Sequence, residues 1–389
     1  MRLRRRGLLA SAGAALAWPS LGRADDLGAA CVRAVLGQME ALGDGPALLN
    51  SYLVETGPGA GDFDRTQANA AYVYDNALAG LLLLAAGHRA EAARIGQALA
   101  IAQAHDRKFA DGRLRNGYQA GVMTAPAKLP GFWDETAGRW DEDPYQLGTE
   151  SGPVAWAMLL WAALGMTAPA NRAGNFLDEQ LRAPAGYYGG LYGFDPSQTL
   201  LSWQSTEQNT DLAAAFRALG RGEDAAHAAA FVRGMFDART GCFQAGTAPG
   251  GAVNPLLAAD AGIWPFLAGL GSAESALAAV AGLRHGEGIG FSAASDGVWF
   301  EGTAFAALAL KLAGQAGLAA SFLTAIAANL SPEGYVYATQ AASLSTGLTV
   351  GPSLQPGVPA QKFNYYRRPS LSATSWAGLA ALGVNPLAA

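Results

Sequence analysis

The chain has 389 residues, of which 51% are hydrophobic and 15% are charged, and it contains 50 glycines. Such a composition suits closely packed helices and excludes a disordered chain. The formal net charge is −5, and the sequence has no basic stripe, so we expect no nucleic-acid partner. Length alone is compatible with two or three domains or with one large closed array.

The first 24 residues have the pattern of an export signal. Arginines at positions 4–6 precede an apolar stretch over residues 8–17, and Gly22-Arg23-Ala24 offers a small-residue cleavage site. The same start resembles a twin-arginine signal, which would mean export in the folded state. We therefore expect a periplasmic or secreted protein whose mature part, residues 25–389, forms one domain.

The rest of the sequence contains few signs of membrane, metal or redox chemistry. No later apolar run approaches the roughly 20 residues that a membrane span needs. Cys31 and Cys242 are too few for a disulfide scaffold or a cysteine metal site; they could pair, or each could stay unpaired and buried. The acidic runs 62–64 and 141–143 do not match an EF-hand loop. We expect a monomer without metal or cofactor.

Six apolar segments have the pattern of buried helices, and each opens at an acid or at a Ser/Thr cluster. The openings lie at Asp75-Asn76, Thr149-Glu150-Ser151, residues 205–211, Asp260, Glu301-Gly302-Thr303 and residues 372–375. Ser205 and Gln208 fit a capping box. The predicted glycine stops are Gly87, Gly165, Gly220, Gly271, Gly314 and Gly383.

Six more amphipathic, alanine-rich segments alternate with the apolar ones. They cover residues 27–43, 88–104, 168–183, 222–237, 272–283 and 316–329. Short links leave each apolar helix, whereas long loops enter the next, at residues 44–68, 105–148, 184–204, 239–259, 284–300 and 331–371. We therefore predict an all-α (α/α)6 toroid of six helical hairpins, with the long loops on the face where the inner helices begin. An open α-solenoid is the alternative, although its repeats would be more regular.

Three helix openings carry a family resemblance. Tyr72-Val-Tyr-Asp-Asn-Ala77, Glu207-Gln-Asn-Thr-Asp211 and Trp299-Phe-Glu-Gly-Thr303, in an exported chain with six hairpins, resemble those of the six-hairpin glycosidase superfamily. The resemblance extends over nearly the whole mature chain and implies carbohydrate cleavage in a groove at the inner-helix N-termini. Glycoside hydrolase family 8, which contains bacterial endoglucanases that accompany cellulose synthesis, is a relative to consider, but its helix-opening signature is not among these motifs.

The acids at the helix openings are the candidate catalytic residues, because glycoside hydrolysis needs one protonated and one ionised carboxyl group. We expect them to meet around one cavity: Asp75, Glu150, Glu207, Asp211, Asp260 and Glu301. Glu207 is the first choice for the general acid, since Asp211 one turn later would raise its pKa and Trp203 would shield it. Asp75 or Glu301 would then be the base. Each acid could instead be an ordinary helix cap.

Asp260 and Glu150 leave specific alternatives open. Because Pro265 follows Asp260 closely, the helix there could begin only after Gly262. Glu150 could act as a first-turn cap or contact substrate. The candidate substrate-binding residues are Tyr74, Asn76, Glu150, Trp203, Asn209, Trp299, Tyr365, Tyr366 and Arg367.

Aromatic residues with a polar edge are concentrated in the long loops. They are Tyr118, Trp133, Trp140, Tyr145, Tyr187, Tyr188, Tyr192, Trp203, Trp299, Tyr335, Tyr337, Tyr365 and Tyr366. Such side chains offer an apolar face to a sugar ring and a hydrogen-bonding edge to its hydroxyls. Some of them are instead expected to close the loops over the barrel mouth.

The leading interpretation is an exported glycoside hydrolase acting on a poly- or oligosaccharide, such as an exopolysaccharide made by the same cell. One alternative is a polysaccharide lyase that uses Tyr365 or Tyr366 with Arg367, Arg113 or Arg115. Another is a periplasmic glycan-binding protein without catalysis. A histidine-pair epimerase is disfavoured, because three of the four histidines fall on or beside the outer helices.

Overall fold

A computed structural model of the protein describes residues 24–57 and 59–388, so nearly all of the predicted export signal lies outside the described residues. The helices are α1 (Ala24–Ala41), α2 (Asp62–Gln67), α3 (Val73–Ala85), α4 (Arg89–Ala104), α5 (Pro144–Leu147), α6 (Ser151–Leu164), α7 (Thr167–Phe176), α8 (Thr206–Ala218), α9 (Gly222–Gly234), α10 (Ala259–Leu267), α11 (Ala273–Gly282), α12 (Phe300–Leu312), α13 (Ala316–Ala327) and α14 (Leu371–Leu382). A π-helical turn, Leu177–Leu181, extends α7.

Six of these helices form a closed inner ring. Helices α3, α6, α8, α10, α12 and α14 each pack against the next, and α14 packs against α3. The outer helices α4, α7, α9, α11 and α13 pack against the inner helix that precedes each of them, and α1 packs against α14. The first helix of the described chain therefore covers the last. The predicted (α/α)6 toroid is confirmed, and the open solenoid is excluded by the α3–α14 contact.

Inner helices such as α12 and α14 have no solvent-exposed face, because both of their faces are covered. In α14 every residue from Leu371 to Ala381 is buried, and in α12 every residue from Phe300 to Leu310 is. A helix without a wet face needs a partner on each side. In the barrel, each inner helix packs against its two neighbours in the ring and against an outer helix, so each of its sides has a partner.

Polar side chains at the fourth position of four inner helices fix how those helices enter the ring. Asn76, Asn209, Thr303 and Thr374 each donate to the carbonyl four residues earlier, at 2.6–3.0 Å. Each also accepts a backbone N–H from the preceding loop, at 2.8–3.1 Å. The N–H donors are Leu49, Tyr187, Ile289 and Val336, in that order. These bonds hold the loop strands against the helix starts.

The long loops contain short strands rather than only irregular chain. They are β1 (Ala47–Leu48), β2 (Ala70–Tyr72), β3 (Gly117–Gln119), β4 (Gly121–Val122), β5 (Phe132–Asp134), β6 (Arg139–Asp141), β7 (Thr149–Glu150), β8 (Gly190–Tyr192), β9 (Thr199–Leu201), β10 (Gln204–Ser205), β11 (Phe236–Asp237), β12 (Cys242–Phe243), β13 (Gly246–Thr247), β14 (Val253–Asn254), β15 (Arg284–His285), β16 (Gly288–Ile289), β17 (Ser343–Thr349) and β18 (Lys362–Tyr366). All pairings are antiparallel, in the orders β1-β4, β2-β3, β5-β6, β7-β8-β9, β10-β13-β14, β11-β12, β15-β16 and β17-β18.

One local prediction at the helix ends is wrong, and another is half correct. The stop after α10 is Gly269, with φ of 71°, rather than Gly271. At α8 the Ser205 hydroxyl accepts from Gln208 N at 3.3 Å as predicted. The Gln208 side chain does not return to Ser205, however, because it bonds Ser151 and Glu150 on the neighbouring hairpin. The capping box is therefore half formed.

Both cysteines are buried and unpaired, Cys31 in α1 and Cys242 in β12. Among the described residues, no helix combines the length and apolar character that crossing a membrane requires.

Candidate active site

The second residue of every inner helix contributes to a ring at the mouth of the barrel. Because the six helices begin on the same face, equivalent positions lie at the same height. The ring consists of Tyr74, Gly152, Glu207, Asp260, Glu301 and Ser372. Three of the six predicted acids therefore occupy one layer, although they are spread over nearly a hundred residues of sequence.

Glu301 is held by two hydroxyl groups from neighbouring helices. Tyr74 donates to its Oε1 at 2.5 Å and Ser372 donates to its Oε2 at 2.7 Å. The Trp376 indole donates in turn to the Tyr74 hydroxyl at 2.8 Å. Burial raises the pKa of Glu301 to about 7, while these two hydrogen bonds favour the ionised form. The arrangement orients a carboxylate that titrates near neutrality.

Glu207 is a half-buried acid surrounded by other acids. Its pKa is raised well above the ordinary value, first by burial and then by the charges of Asp260, Asp211, Glu150 and Glu301, in that order. The expected repulsion by Asp211 is therefore present, but Asp260 exerts the larger effect. Burial and the neighbouring negative charges both favour the protonated form of Glu207.

Asp260 lies within helix α10, which begins at Ala259 and accommodates Pro265 in its interior. The alternative start after Gly262 is thus wrong. Burial raises the pKa of Asp260 to about 6, and the backbone N–H of Ala261, 2.6 Å from Oδ1, partly opposes that shift.

One turn deeper, the sixth residue of each inner helix forms a second ring, since residues four apart share a helix face. Its members are Leu78, Trp156, Asp211, Trp264, Phe305 and Trp376. The four aromatic members contact one another with ring centroids 5.5–5.8 Å apart. This aromatic floor closes the axis beneath the first ring.

Asp211 is the one acid in the aromatic floor. It is fully buried, and neither carboxylate oxygen has a hydrogen-bond partner among the described residues. Burial and then the charge of Asp260 raise its pKa well above the ordinary value. The Trp156 indole N–H opposes that shift electrostatically without reaching hydrogen-bond geometry. A Cβ at Gly152 would lie 3.3 Å from Asp211 Oδ2, so this glycine leaves room beside the carboxylate.

The two remaining acids lie at the edge of the first ring. Asp75 is the third residue of α3, and its pKa is raised by burial, with Ser51 as a hydrogen-bond partner and Glu301 as a repelling neighbour. Glu150 precedes α6 without capping it and accepts a hydrogen bond from Gln208 at 3.1 Å. Burial raises the pKa of Glu150 to about 7. All six acids therefore lie in one electrostatically connected group.

Four tyrosines from the loops surround the acids. Burial raises the pKa of each phenol, and nearby carboxylates add to the shift: chiefly Asp75 at Tyr52, Asp143 at Tyr72, Glu150 at Tyr145 and Glu301 at Tyr365. The phenols remain protonated and can donate hydrogen bonds. Sequence reasoning missed Tyr52, although it lies in the first long loop, where the criterion used for the other aromatics would have found it.

The predicted substrate-binding residues Asn76 and Asn209 direct their amides to the backbone. Asn76 donates to Leu49 O and Tyr72 O and accepts from Leu49 N. Asn209 makes the equivalent bonds with Tyr187 and Ser205. Both amides are fully buried. The backbone takes both N–H donors and one lone pair of each amide, which argues against a role in substrate binding.

The other predicted substrate-binding residues divide between the acid ring and the periphery. Trp299 and Tyr365 stack at 5.3 Å, and Tyr365 responds to the charges of Glu301 and Asp260. Trp203 instead packs over Gly189, where a Cβ would meet its ring at 2.5 Å, so its expected role as a shield of Glu207 has no support in these contacts. Tyr366 packs against Phe63 at 4.7 Å.

The arginines proposed for a lyase are engaged elsewhere. Arg367 lies 4.2 Å from the centre of the Tyr337 ring and donates to the carbonyls of Thr339 and Gln340. Arg113 pairs with Asp111, and the fully buried Arg115 pairs with Asp106 and Asp195. Arg113 and Arg115 are thus committed to carboxylates, and Arg367 is held by backbone carbonyls beside Tyr337.

The acidic segments 62–64 and 141–143, which do not match an EF-hand loop, make contacts within the protein. Asp62, Asp64, Asp141 and Glu142 form ion pairs with arginines, and Asp143 caps α5. Among the described residues, no group of three or more His, Cys, Asp and Glu side chains has an arrangement that could hold a metal ion.

The sequence matches no protein-family model and no curated protein. The fold, however, is shared with solved structures of sugar-processing enzymes. A wild-type glycosidase is 14% identical, with a TM-score of 0.58 over 93% of this chain and 98% of that one. A sugar epimerase from a ruminal bacterium is 11% identical, with a TM-score of 0.57 over 92% and 99%. A D-mannose isomerase is 9% identical, with a TM-score of 0.57 over 94% and 99%. These likenesses identify the (α/α)6 barrel.

Proposed function

We propose that the protein is a glycoside hydrolase that cleaves a poly- or oligosaccharide, with Glu207 as general acid and Glu301 as general base. The observation that supports this most strongly is the ring of second-position residues, in which Glu207, Asp260 and Glu301 surround one axis with raised pKa values. The glycosidase among the structures that share the fold is consistent with the proposal.

The two acids differ in the way that the reaction requires. Glu207 accepts no hydrogen bond among the described residues, and its acidic neighbours favour the protonated form, so it can donate a proton to the leaving glycosidic oxygen. Glu301 receives two hydroxyl donors that favour its ionised form, so it can take a proton from the water that attacks the sugar. After the reaction Glu207 is ionised and Glu301 is protonated, and exchange with solvent restores both.

The positions of the histidines favour hydrolysis over epimerisation. His88 and His105 flank α4, His227 lies on α9 and His285 lies in β15, so none is on an inner helix. His227 bonds the carbonyls of Ala183 and Gly186. An acid–base pair of histidines at the ring of acids is therefore absent from the described residues.

We further propose that the protein acts outside the cytoplasm, because residues 1–24 have the order of basic, apolar and small residues found in export signals. Mass spectrometry of periplasmic protein tests this directly. A mature chain that begins near Asp25 is expected, and periplasmic material that retains Met1 would contradict it.

The catalytic proposal is tested on polysaccharides by measuring new reducing ends, with ultraviolet absorbance as a check for unsaturated lyase products. Glu207→Gln and Glu301→Gln should each lower kcat by about 10²–10⁴-fold, the usual contribution of an acid or base. Glu274→Gln is the matched control, since Glu274 is also the second residue of its helix but lies on outer helix α11. It should retain full activity.

Asp75→Asn decides between the two candidate bases. If it abolishes turnover and Glu301→Gln does not, Asp75 is the base. Full activity of Glu207→Gln on a substrate that the wild type cleaves would remove Glu207 from the mechanism. Unsaturated products would show that the enzyme is a lyase, which cleaves by elimination, and not a hydrolase.

A further inference from the structure

Two tryptophan side chains lie exposed next to each other on the hairpin formed by β5 and β6. Trp133 and Trp140 are cross-strand partners, so both side chains project from the same face of the hairpin. They are 53% and 45% exposed. Large aromatic side chains are normally buried. A pair of exposed tryptophans at neighbouring positions therefore indicates a binding surface.

The hairpin is anchored at its base, so the pair is held in place. The Asn69 side chain donates to Gly131 O at 2.9 Å and accepts from Gly131 N at 3.2 Å. The Trp140 indole lies over Gly131, where a Cβ would come within 2.5 Å of Nε1. Asn69 directly precedes β2, the strand that leads into α3, so the anchor connects the hairpin to the mouth of the barrel.

A cavity of about 560 Å³, open to solvent and lined by both apolar and polar side chains, adjoins Trp140. Its lining includes Gln119, Lys128 and the ion pair of Arg107 with Glu142. The guanidinium donates to both carboxylate oxygens of Glu142, at 2.6 and 2.9 Å, and to Asp195 at 3.0 Å. Fixed donors and acceptors beside an aromatic surface are the features that suit sugar hydroxyls and ring C–H groups.

The tryptophan pair is close to the acids along the chain. Trp140 lies five positions before Tyr145, whose pKa is raised by burial and then by neighbouring groups that include Glu150, Glu207 and Asp75. Five residues span at most about 18 Å when fully extended. Trp140 and Tyr145, which neighbours the acids, are therefore no farther apart than that.

We propose that Trp133, Trp140 and the adjoining cavity form a second glycan-binding site outside the acid ring, which holds a distant part of a long polysaccharide. The idea that the bound chain then reaches the acids rests on the proposed hydrolase function, whereas binding at the hairpin does not. The site selects long chains over short oligosaccharides, because only a long chain occupies both places at once.

A second copy of this protein could cover the same tryptophans. The charged side chains of Arg107, Lys128 and Glu142 line the cavity, and protein interfaces are depleted of charged residues at their centre, so the cavity favours a glycan. Size-exclusion chromatography at several protein concentrations distinguishes a dimer interface from a glycan-binding site. A dimer that dissociates on Trp133→Ala/Trp140→Ala substitution would overturn the glycan site.

Affinity electrophoresis tests binding without turnover. Mature full-length protein carrying Glu207→Gln is run in gels containing hydroxyethyl cellulose, xylan, soluble starch or alginate. We expect retardation by at least one of them, weakened at least tenfold in apparent affinity by Trp133→Ala/Trp140→Ala and restored in part by the double Phe variant. Phe236→Ala is the matched control, because Phe236 is 44% exposed on the separate hairpin β11–β12. It should bind normally.

The outcomes separate this site from the proposed hydrolase activity. Retardation by no polysaccharide, or equal retardation of the double alanine variant, overturns the second site even if the wild type hydrolyses sugars. Retardation that depends on the tryptophans, in a wild type that releases no product, supports the second site and contradicts the hydrolase. Where hydrolysis occurs, the double alanine variant in an otherwise wild-type chain should lose activity on the polymer and keep it on its short oligosaccharides.

Discussion

The Tyr74 hydroxyl donates a hydrogen bond of 2.5 Å to Glu301 across 227 residues of sequence. Tyr74 and Glu301 both occupy the second position of an inner helix, on either side of α14. Helix α14 contributes Ser372 to the same carboxylate and Trp376 to the Tyr74 hydroxyl. The orientation of the proposed base is therefore fixed by three helices, and it depends on correct closure of the ring.

Tyr74→Phe is expected to raise the pKa of Glu301, because it removes a hydrogen bond that favours the carboxylate. A general base works only when ionised, so the acidic limb of kcat/KM, expected near pH 7, should move to higher pH. A hydrogen bond to a charged group corresponds to a shift of roughly one to two pH units. The pH–rate profile measures this shift.

Tyr187→Phe is the control for Tyr74→Phe. Tyr187 also donates to a carboxylate, Asp178, at 2.8 Å, but that contact lies beside an outer helix, away from the acids. It should lower stability without moving the acidic limb. An unmoved limb in Tyr74→Phe would mean that Glu301 does not act as the base.

The sequence predicted the ring well because its signals are local. Acids at helix starts, glycine stops and the side on which long loops fall are all readable within one hairpin. The contacts between side chains of different hairpins could not be predicted from the sequence. Asn76 and Asn209 looked like polar groups at the mouth, because their partners Leu49 and Tyr187 lie 27 and 22 residues earlier. The Tyr74–Glu301 bond depends on ring closure, which no local pattern encodes.

Asn76→Ala should reduce stability and leave substrate binding unchanged. The substitution removes three buried hydrogen bonds and leaves the N–H and C=O of Leu49 without partners. Two unsatisfied backbone groups cost roughly 2–4 kcal/mol. Urea denaturation should record the loss, and KM of the folded fraction should remain that of the wild type. A raised KM with unchanged stability would restore Asn76 as a substrate-binding residue.

Arg115→Met should be among the most destabilising single substitutions. Arg115 is fully buried and donates to Asp106, Asp195 and the Leu147 carbonyl. Its removal leaves the buried Asp106 without its cation and Asp195 with Arg107 alone, which costs roughly 3–5 kcal/mol. Urea denaturation tests this. If the variant keeps its stability but loses turnover, Arg115 acts on the substrate, as the lyase alternative requires.

Glu301→Gln should lose activity yet become more stable relative to the wild type as pH rises. Burial raises the pKa of Glu301 from 4.5 to about 7 in the folded protein. Below pH 4.5 Glu301 is protonated in both the folded and the unfolded protein. Above pH 4.5 it ionises first in the unfolded protein, so its contribution to the free energy of unfolding falls as pH approaches 7. Glutamine does not titrate. The gain of the variant over the wild type between pH 4.5 and 8 should reach about 3 kcal/mol at most.

Urea midpoints at the two pH values measure the effect of Glu301→Gln. Glu274→Gln serves again as control, because Glu274 is exposed and its pKa is lowered, chiefly by its backbone N–H. It should show no gain at high pH. Parallel pH dependence of Glu301→Gln and the wild type would mean that Glu301 titrates normally in the folded protein.

Asp211→Asn tests whether the acid in the aromatic floor sets the pKa of Glu207. Asparagine keeps the shape but removes the charge that, after burial and Asp260, raises the Glu207 pKa. A general acid works only when protonated, so a lower pKa for Glu207 should move the alkaline limb of kcat/KM to lower pH. The acidic limb should stay in place, because Asp211 is not among the groups that shift the pKa of Glu301. If the alkaline limb is unmoved in Asp211→Asn but moves in Asp260→Asn, Asp211 holds its proton throughout the working range and Asp260 alone controls Glu207.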